Sequence, residues 1–378
     1  MKLQFGMVGG GNGAFIGNVH RKGAQMDDLA ELAAGCFSRN TDKNQETAEA
    51  WNVKDPSRIY SSWKEMADKE AQRENKIDFV VIVTPTNTHY EIAKYYLEAG
   101  FHVVCDKPIA LTAKEGAELK HIADKNDLQF GVTYTYASYA VIRQAREMID
   151  AGKIGQILKI EAEYPQDWVL KDAALNPDAS SVWRLDPKQA GPSACCADIG
   201  THLEALIKQM TGLHPKRVLA RLNHIKGSIL EHDLDAFLEF ENQIPGHIWA
   251  SQVAAGNDCG VKIRVFGDQG SLEWTHQRQM ELRYAPLTQP TQILLANNLY
   301  NYDACREQCR LPVGHPEGFH EAFGNIYRGY CLHLLEKKTG ESAGDFRYPT
   351  IDDGIAGLRF VDACLKSDAG GNIWVEVE

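Results

Sequence analysis

The chain has 378 residues, of which 44% are hydrophobic, and a formal net charge of -11 at pH 7. This length exceeds what a single hydrophobic core usually serves, so the sequence predicts two domains. The acidic balance and the dispersed Lys and Arg residues argue against nucleic acid as a partner. No apolar run approaches the roughly 20 residues that a membrane-spanning helix needs, so we expect no membrane partner.

Cysteine usage and the N-terminus bear on the compartment. The nine cysteines show no repeated spacing, which favours reduced thiols over a disulfide framework. The first residues enter a strand without the charged and apolar regions of a signal peptide. We therefore expect a cytoplasmic protein. Cys305, Cys309, His315 and His320 do not match the tight ligand pairs of common zinc modules, so no metal site is expected.

The first part of the chain alternates short apolar runs with amphipathic stretches. This pattern is typical of repeated strand-helix units and a doubly wound parallel sheet, which is an α/β fold. The expected strands are Leu3 to Val8, Leu32 to Phe37, Asp78 to Val83, His102 to Cys105 and Gln129 to Val132. The expected helices between them are Thr41 to Trp51, Thr88 to Ala99 and Thr112 to Lys125.

A glycine-rich turn follows the first expected strand directly. Gly9-x-Gly11-x-x-Ala14 satisfies the dinucleotide-binding fingerprint, in which bare glycines let the backbone approach a pyrophosphate at a helix N-terminus. Its place between a strand and a helix supports this interpretation, and an ordinary loop is the alternative. The expected cofactor contacts are Gly9, Gly11, Asn12, Gly13, Ala14 and Phe15. We assign residues 1–133 to a dinucleotide-binding Rossmann domain.

The end of the second expected strand bears on the choice of dinucleotide. NAD-specific sites usually carry an Asp or Glu there, which accepts hydrogen bonds from the ribose 2′-hydroxyl. Here Phe37 is followed by Ser38 and Arg39, a pair that suits a 2′-phosphate. A solvated helix start, capped by Asn40 or Thr41, is the alternative. NAD and NADP both stay open as the cofactor.

The pattern changes in the second part of the chain. From Leu158 to Tyr164 apolar and charged residues alternate, which is the period of a half-buried strand. Similar strands are expected at Arg217 to His224, Leu234 to Phe240, His247 to Val253, Val261 to Val265 and Ser271 to Thr275. Expected helices that cover one sheet face are Gln189 to Met210, Gly318 to Lys337 and Ile351 to Lys366. Residues 134–378 are therefore predicted to form an α+β domain with a large, mainly antiparallel open sheet.

Two short segments carry residue types that chemistry requires. Lys107, between Asp106 and Pro108, follows the fourth expected strand at the carboxyl edge of the sheet, where ligands of doubly wound folds bind. Asp198 and His202 are four residues apart and share one face if the segment is helical. This spacing suits an orienting carboxylate and an imidazole base. A solvated lysine and a surface Asp-His pair are the alternatives.

Together, the glycine-rich turn, Asp106-Lys107-Pro108 and Asp198-x-x-x-His202 resemble the glucose-fructose oxidoreductase, inositol 2-dehydrogenase and rhizopine-catabolism family (Gfo/Idh/MocA). The resemblance covers essentially the whole chain, although family members commonly have Glu in place of Asp106. It implies hydride transfer between a nicotinamide and a secondary alcohol of a sugar, glycoside or cyclitol. It implies that Lys107 polarises the reacting hydroxyl, that His202 is the general base and that Asp198 orients the imidazole and the substrate.

Further positions are expected at the same sites. The segment after the third strand resembles the family's cofactor-edge loop, and we expect cofactor contacts at Thr84, Pro85, Asn87 and His89, with an ordinary turn as the alternative. Cofactor contacts are also expected at Asp106 and Lys107, after the fourth strand. Aromatic faces that suit stacking on a sugar ring precede Asp198, although a structural role fits them equally well. The expected substrate contacts are Lys107, Tyr136, Trp168, Trp183, Arg184, Asp198 and His202.

Two other functions stay open. One is an enzyme that oxidises a sugar carbon only transiently, so that a glycosidic bond breaks before the hydride returns. The other is a non-catalytic regulator that senses a dinucleotide, a class that the family includes. The resemblance also implies that residues 134–378 bind a carbohydrate or polyol and form a homodimer or homotetramer through the exposed face of the sheet.

Overall fold

The structure is a computed structural model that describes residues 2–175, 183–225 and 228–378. The chain divides into two compact units, one made of Met1–Thr133 and Phe319–Ile355, the other of Tyr134–Gly318 and Ala356–Glu378. The predicted second domain, 134–378, is therefore wrong for residues 319–355. Their helix carries buried aromatic side chains that belong to the core of the first unit.

The strands of the first unit are β1 (Leu3–Gly9), β2 (Ala30–Cys36), β3 (Phe79–Val83), β4 (His102–Cys105) and β5 (Phe130–Val132). Those of the second unit are β6 (Ile157–Pro165), β7 (Arg217–Asn223), β8 (Asp233–Glu239), β9 (Pro245–Ser251), β10 (Lys262–Gly267), β11 (Gly270–Thr275), β12 (Glu281–Pro286), β13 (Gln292–Leu295) and β14 (Val375–Glu376).

The helices are α1 (Phe15–Gln25), α2 (Thr41–Ala50), α3 (Trp63–Ala71), α4 (His89–Glu98), α5 (Ala113–Lys125), α6 (Ala140–Asp150), α7 (Trp168–Leu175), α8 (Pro187–Ala190), α9 (Thr201–Thr211), α10 (Asp303–Arg306), α11 (Phe319–Thr339) and α12 (Ile351–Ala369). No helix in the described part of the chain combines the length and apolarity needed to cross a membrane.

The sheet of the first unit confirms the predicted doubly wound fold. Its strand order is β2-β1-β3-β4-β5, and every pair is parallel. Strand β3 is buried along its whole length, as expected for a parallel sheet that is covered on both faces. Asn40 caps α2, and Thr112 with Glu115 forms a capping box on α5. These caps fix where the helices begin.

The core of the first unit explains why α11 returns to it. Phe323, Tyr327 and Tyr330 are nearly fully buried and lie in the same cluster as Phe5 and Phe79 of the sheet. The Phe79 ring lies 5.2 Å from the Tyr330 ring in an edge-to-face arrangement, which is favourable for aromatic pairs. Helix α11 therefore covers one face of the parallel sheet.

The sheet of the second unit is open and mainly antiparallel, as predicted. Among the described residues it has nine strands in the order β13-β12-β11-β10-β6-β9-β8-β7-β14, and β6 pairs in parallel with β9. Strands β12, β13 and β14 had not been predicted. In β6 the buried residues Ile160, Ala162 and Tyr164 alternate with Glu161 and Glu163, so one face is covered and the other carries polar side chains.

One predicted helix, Gln189 to Met210, is wrong in its first half. Helix α8 ends at Ala190, and Gly191 adopts a φ of 89°, a value that suits glycine. Pro192 follows, and the chain re-enters helical geometry as a π turn at Cys196–Gly200 that continues into α9. Asp198 therefore lies in the π turn and His202 in α9, and π turns of this kind occur frequently at functional sites.

Candidate functional site

The glycine-rich turn has the geometry that a pyrophosphate site needs. Gly9, the last residue of β1, has a φ of 80°, a region that side chains disfavour. A Cβ atom at Gly17 would lie 1.8 Å from the carbonyl oxygen of Gly10, so only glycine lets α1 pack this closely on the turn. Ala14 precedes α1, and no side chain among the described residues caps this helix. Its first N–H groups therefore suit an anionic ligand.

Two of the remaining predicted residues of this turn, Gly11 and Asn12, are held by the residue after β2 and by α2. The Gly11 N–H donates to the carbonyl oxygen of Phe37 at 3.2 Å, and the Asn12 N–H donates to the Thr47 hydroxyl at 2.9 Å. A Cβ at Gly13 would meet nothing within 4 Å, and 74% of Phe15 is exposed. The turn is thus fixed at its base and open at its tip, which fits a dinucleotide backbone.

Ser38 and Arg39 lie just beyond the end of β2, as predicted. The Ser38 hydroxyl accepts a hydrogen bond from the Asn40 N–H at 3.1 Å, and Asn40 caps α2 through the Lys43 N–H. Arg39 is exposed. The described structure therefore confirms that Asn40 is a helix cap and leaves Arg39 at the surface.

The loop after β3 contains Thr84, Pro85 and Asn87, and it is fixed by His89. The His89 ring is almost fully buried, with Nδ1 at 2.7 Å from the carbonyl oxygen of Pro108 and Nε2 at 2.7 Å from that of Thr84. Burial lowers the pKa of this imidazole. Both ring nitrogens face backbone oxygens, so the predicted cofactor contact by the His89 side chain is replaced by a structural link between this loop and Pro108.

Asp106 holds the segment that presents Lys107. Its Oδ1 accepts hydrogen bonds from the Lys107 N–H at 2.9 Å and from the Thr133 hydroxyl at 2.8 Å. The Nε2 atom of the buried His20 lies 3.9 Å from the same oxygen. Burial by itself raises the pKa of the Asp106 carboxyl, but His20, Lys107 and Thr133 outweigh it and hold the pKa well below its usual range.

His20, Thr133 and Tyr327 belong to this cluster and were not predicted from the sequence. The His20 Nδ1 atom lies 2.8 Å from the Tyr327 hydroxyl, so α11 supports the imidazole from behind. Thr133 follows β5 directly and was predictable, because the carboxyl ends of neighbouring parallel strands meet at one sheet edge. His20 and Tyr327 had no local signal, since each comes from a different helix.

Asp198 and His202 lie in the second unit, at the π turn and in α9. The Asp198 Oδ1 atom is 3.7 Å from Nε of Arg184, and its Oδ2 atom accepts a hydrogen bond of 3.0 Å from Nε2 of Gln252. About a fifth of the Asp198 side chain is exposed, whereas His202 is buried. The predicted residues Arg184 and Asp198 are thus in contact.

Aromatic rings surround His202. The rings of Tyr134, Tyr136 and Tyr164 lie 5.6, 5.0 and 6.3 Å from it, each in an edge-on arrangement. The hydroxyls of Tyr136 and Tyr164 are 2.6 Å apart, and burial first, with the Cys259 thiol adding to it, raises the pKa of Tyr136 well above its usual value. Burial also raises the pKa of Tyr164 well above its usual value, so both phenols stay neutral and this wall of the site is aromatic and uncharged.

Glu231 anchors the backbone that precedes the π turn. Its buried carboxylate accepts hydrogen bonds from the Ser193 hydroxyl at 2.6 Å and from the N–H groups of Ala194 and Cys196 at 3.1 and 2.9 Å. Glu231 and Gln252 were not predicted from the sequence, because both are far along the chain from the residues that they contact. Three donors converge on one carboxylate, so the turn that carries Asp198 has a fixed conformation.

The two tryptophans predicted to contact the substrate, Trp168 and Trp183, lie on either side of a segment that the structure does not describe. Trp168 is the first residue of α7 and is partly exposed. Trp183 begins a short 3-10 turn that ends at Leu185 and includes Arg184. Residues 176–182, between these elements, lie outside the described part of the chain.

Comparison with known proteins decides the family. A family model described as an oxidoreductase family with an NAD-binding Rossmann fold matches residues 3–134, and the model of the GFO/IDH/MocA C-terminal domain matches residues 142–273. The chain belongs to the Gfo/Idh/MocA family of oxidoreductases. The resemblance drawn from the three sequence motifs is thereby confirmed, and so is the NAD-binding character of the Rossmann domain.

Individual members of the Gfo/Idh/MocA family match the chain over nearly its full length. The uncharacterized oxidoreductase YfiI of Bacillus subtilis (strain 168) is 36% identical over 99% of this chain and 96% of its own. The crystal structure of an inositol dehydrogenase homolog from Azotobacter vinelandii, complexed with NAD+, has a TM-score of 0.94 and 34% identity, with 100% of this chain and 97% of that chain covered.

The same Azotobacter homolog has a crystal structure in complex with NADH and myo-inositol. It matches this chain with a TM-score of 0.92 and 33% identity, covering 100% of this chain and 98% of that one. These family members are therefore described as binding a nicotinamide dinucleotide and, in one structure, a cyclitol.

Proposed function

We propose that this protein is an NAD(P)-dependent dehydrogenase that oxidises a secondary alcohol of a sugar, glycoside or cyclitol. The observation that carries the proposal is the joint presence of a glycine turn with an uncapped helix start, Lys107 held by Asp106, and Asp198 and His202 on a fixed turn. A protein that only senses a dinucleotide does not need Lys107, Asp198 and His202.

The residues divide the reaction between them. When bound, the nicotinamide supplies the acceptor for the hydride that leaves the carbinol carbon. His202 takes the hydroxyl proton onto its ring, since an imidazole is a common general base. The Lys107 ammonium stabilises the oxygen as negative charge develops on it. The alcohol loses one proton and one hydride, and a carbonyl compound is left.

The surroundings of His202 favour a neutral, hydroxyl-rich substrate ring. The three tyrosine rings put no charged group on their side of His202, which suits a neutral ligand. Asp198 accepts hydrogen bonds from hydroxyl groups, and its contact with Arg184 balances its charge. The myo-inositol in the Azotobacter complex has this chemistry, so cyclitols come first in the panel to be tested.

We also propose that the protein pairs with itself through the polar face of the nine-stranded sheet. Phe237 is 56% exposed there, and a cavity of about 500 Å³ lies on this face, lined by Glu161, Ala162, Glu163, Asp235, His247, Trp249 and Arg264. Carboxylates alternate with basic groups in that lining, which suits a self-complementary contact. Light scattering should show a dimer or tetramer, and the Phe237→Glu variant should contain a larger fraction of monomer.

The test of the function is an absorbance assay for nicotinamide reduction. NAD+ or NADP+ is supplied with myo-inositol, other cyclitols and a series of aldoses and glycosides. We expect reduction with at least one polyol, and a loss of about 10²-fold or more in kcat for Lys107→Met and for His202→Asn. Wild-type protein that binds the dinucleotide but reduces it with no polyol would contradict the proposal. Release of an aglycone without net reduction would favour the transient-oxidation enzyme instead.

A further inference from the structure

Gln252 contacts the Asp198 carboxylate from a fixed position. It follows β9 directly and is fully buried, with 0% of the residue exposed. Its backbone N–H donates to the carbonyl oxygen of His232 at 2.8 Å, and its carbonyl oxygen accepts from the Val169 N–H at 3.3 Å. The side chain then reaches Oδ2 of Asp198 at 3.0 Å. The Gln252 backbone is thus held by two neighbouring segments, and its side chain extends from there to Asp198.

The chemistry of the contact fixes the orientation of the amide. A carboxylate only accepts hydrogen bonds, so the Gln252 NH2 group must face Asp198 and the amide oxygen must point away. Within the described residues, this Oε1 atom is buried and has no hydrogen-bond partner. A buried acceptor without a partner destabilises the fold. A methionine at this position would avoid that cost, so stability alone does not account for a glutamine.

The two oxygens of Asp198 face different groups. Oδ1 faces Arg184, a half-exposed side chain at 3.7 Å, and Oδ2 faces the buried amide. A buried side chain with a fixed backbone sets direction better than an exposed arginine does. The Glu231 carboxylate also contacts this region, through the N–H groups of Ala194 and Cys196. Of the Arg184 and Gln252 contacts, the one from the buried Gln252 amide therefore restrains the direction of the carboxylate more strongly.

We propose that Gln252 is a positioning residue for the reaction. It holds Oδ2 of Asp198 so that the carboxylate keeps the orientation in which it serves His202 and the substrate. This inference rests on the proposed dehydrogenase function, since it assigns Gln252 a part in the same site. Gln252 itself touches Asp198 and acts through it.

The test is a double-mutant cycle between Gln252→Met and Asp198→Ala. Methionine keeps the volume of glutamine and removes the donor. We expect Gln252→Met to lower kcat/KM about tenfold or more in the wild-type background, the effect of losing a hydrogen bond to a charged group. In the Asp198→Ala background the same change should alter kcat/KM less than about twofold, because the partner of the amide is already gone.

A second readout does not depend on turnover. Calorimetry gives the dissociation constant of myo-inositol, or of the polyol that the panel identifies, for the same four proteins with NADH present. The same non-additive pattern is expected. Gln144→Met is the matched control, since Gln144 is also buried but accepts a hydrogen bond from the backbone of Tyr302 at 2.9 Å. Gln144→Met should lower the midpoint of thermal unfolding, because the Tyr302 N–H loses its acceptor, and it should leave kcat/KM unchanged. Gln252→Met should leave the midpoint of thermal unfolding nearly unchanged.

The outcomes separate the two proposals. Equal losses for Gln252→Met in both backgrounds, or no loss in either, would overturn the positioning role while wild-type turnover upheld the function. Wild-type protein that neither turns over nor binds any polyol would overturn the proposed function, and the role of Gln252 would fall with it.

Discussion

Glu231 supplies the sharpest prediction about the turn that carries Asp198. Its carboxylate is 1% exposed and accepts hydrogen bonds from one hydroxyl and two backbone N–H groups, those of Ser193, Ala194 and Cys196. Glu231→Ala leaves all three donors buried without an acceptor. Each such donor costs about 1 to 3 kcal/mol, so the free energy of unfolding should fall by at least about 3 kcal/mol.

Glu231→Gln is the matched, milder variant. Oε1 takes the contacts from Ser193 and Cys196 and one of the two from Ala194, whereas Oε2 takes only the second contact from Ala194. A glutamine with its oxygen at the Oε1 position therefore keeps most of these hydrogen bonds and loses the negative charge. We expect it to cost about 1 to 2 kcal/mol, clearly less than the alanine variant.

The assay is thermal unfolding of both variants and the wild type at pH 7, followed by circular dichroism. A loss of about 3 kcal/mol corresponds to a decrease of about 6 to 12 °C in the unfolding midpoint for a unit of this size. Glu231→Gln should lie between the wild type and Glu231→Ala. Midpoints within about 1 °C of the wild type for both variants would refute the reasoning that this carboxylate anchors the turn.

Three further predictions concern the first unit. Gly17→Ala should weaken dinucleotide binding at least tenfold in a fluorescence titration, because its Cβ would lie 1.8 Å from the Gly10 oxygen; unchanged affinity would contradict the close approach of α1. Arg39→Ala should lower kcat/KM with NADP+ more than kcat/KM with NAD+, since only NADP+ carries a 2′-phosphate for the guanidinium to bind; equal effects on both would exclude this role. The pKa of Asp106 is lowered in the folded protein, so its contribution to stability is present above about pH 3.9, the value for an unfolded aspartate, and is lost as the pH falls towards the folded value. Asp106→Asn should therefore lose less stability than the wild type between pH 7 and pH 3 in urea unfolding, and a parallel loss would contradict the shift.

Much of the fold was predictable because its signals are local. Apolar runs such as Phe79–Val83 and the alternation in β6 follow from burial on two faces or on one. Strand β13, with exposed Ile293 and Leu295, lies at the sheet edge and shows no such alternation, so it was missed. The return of α11 to the first unit was not predictable, since an amphipathic helix does not specify which core it joins.

The candidate reactive residues could be chosen from the sequence for a similar reason, whereas the residues that hold them in place could not. Lys107 follows a strand, and the Asp198–His202 spacing is readable along the chain. Gln252 and Glu231 reach the same turn from positions 54 and 37 residues away from their partners Asp198 and Ala194, which no local pattern indicates. The break in the predicted helix was readable, because Gly191-Pro192 is a sequence that ends helices.

The central claim is that a hydride leaves a carbinol carbon of the substrate, and isotopic labelling tests it most directly. The polyol identified in the panel is prepared with deuterium on the reacting carbon and incubated with oxidised dinucleotide and wild-type protein. The proposed function predicts that the reduced nicotinamide isolated afterwards carries one deuterium at C4, as measured by mass spectrometry, and that Lys107→Met yields none in the same time. Reduced nicotinamide without deuterium, formed from the labelled polyol, would contradict direct hydride transfer.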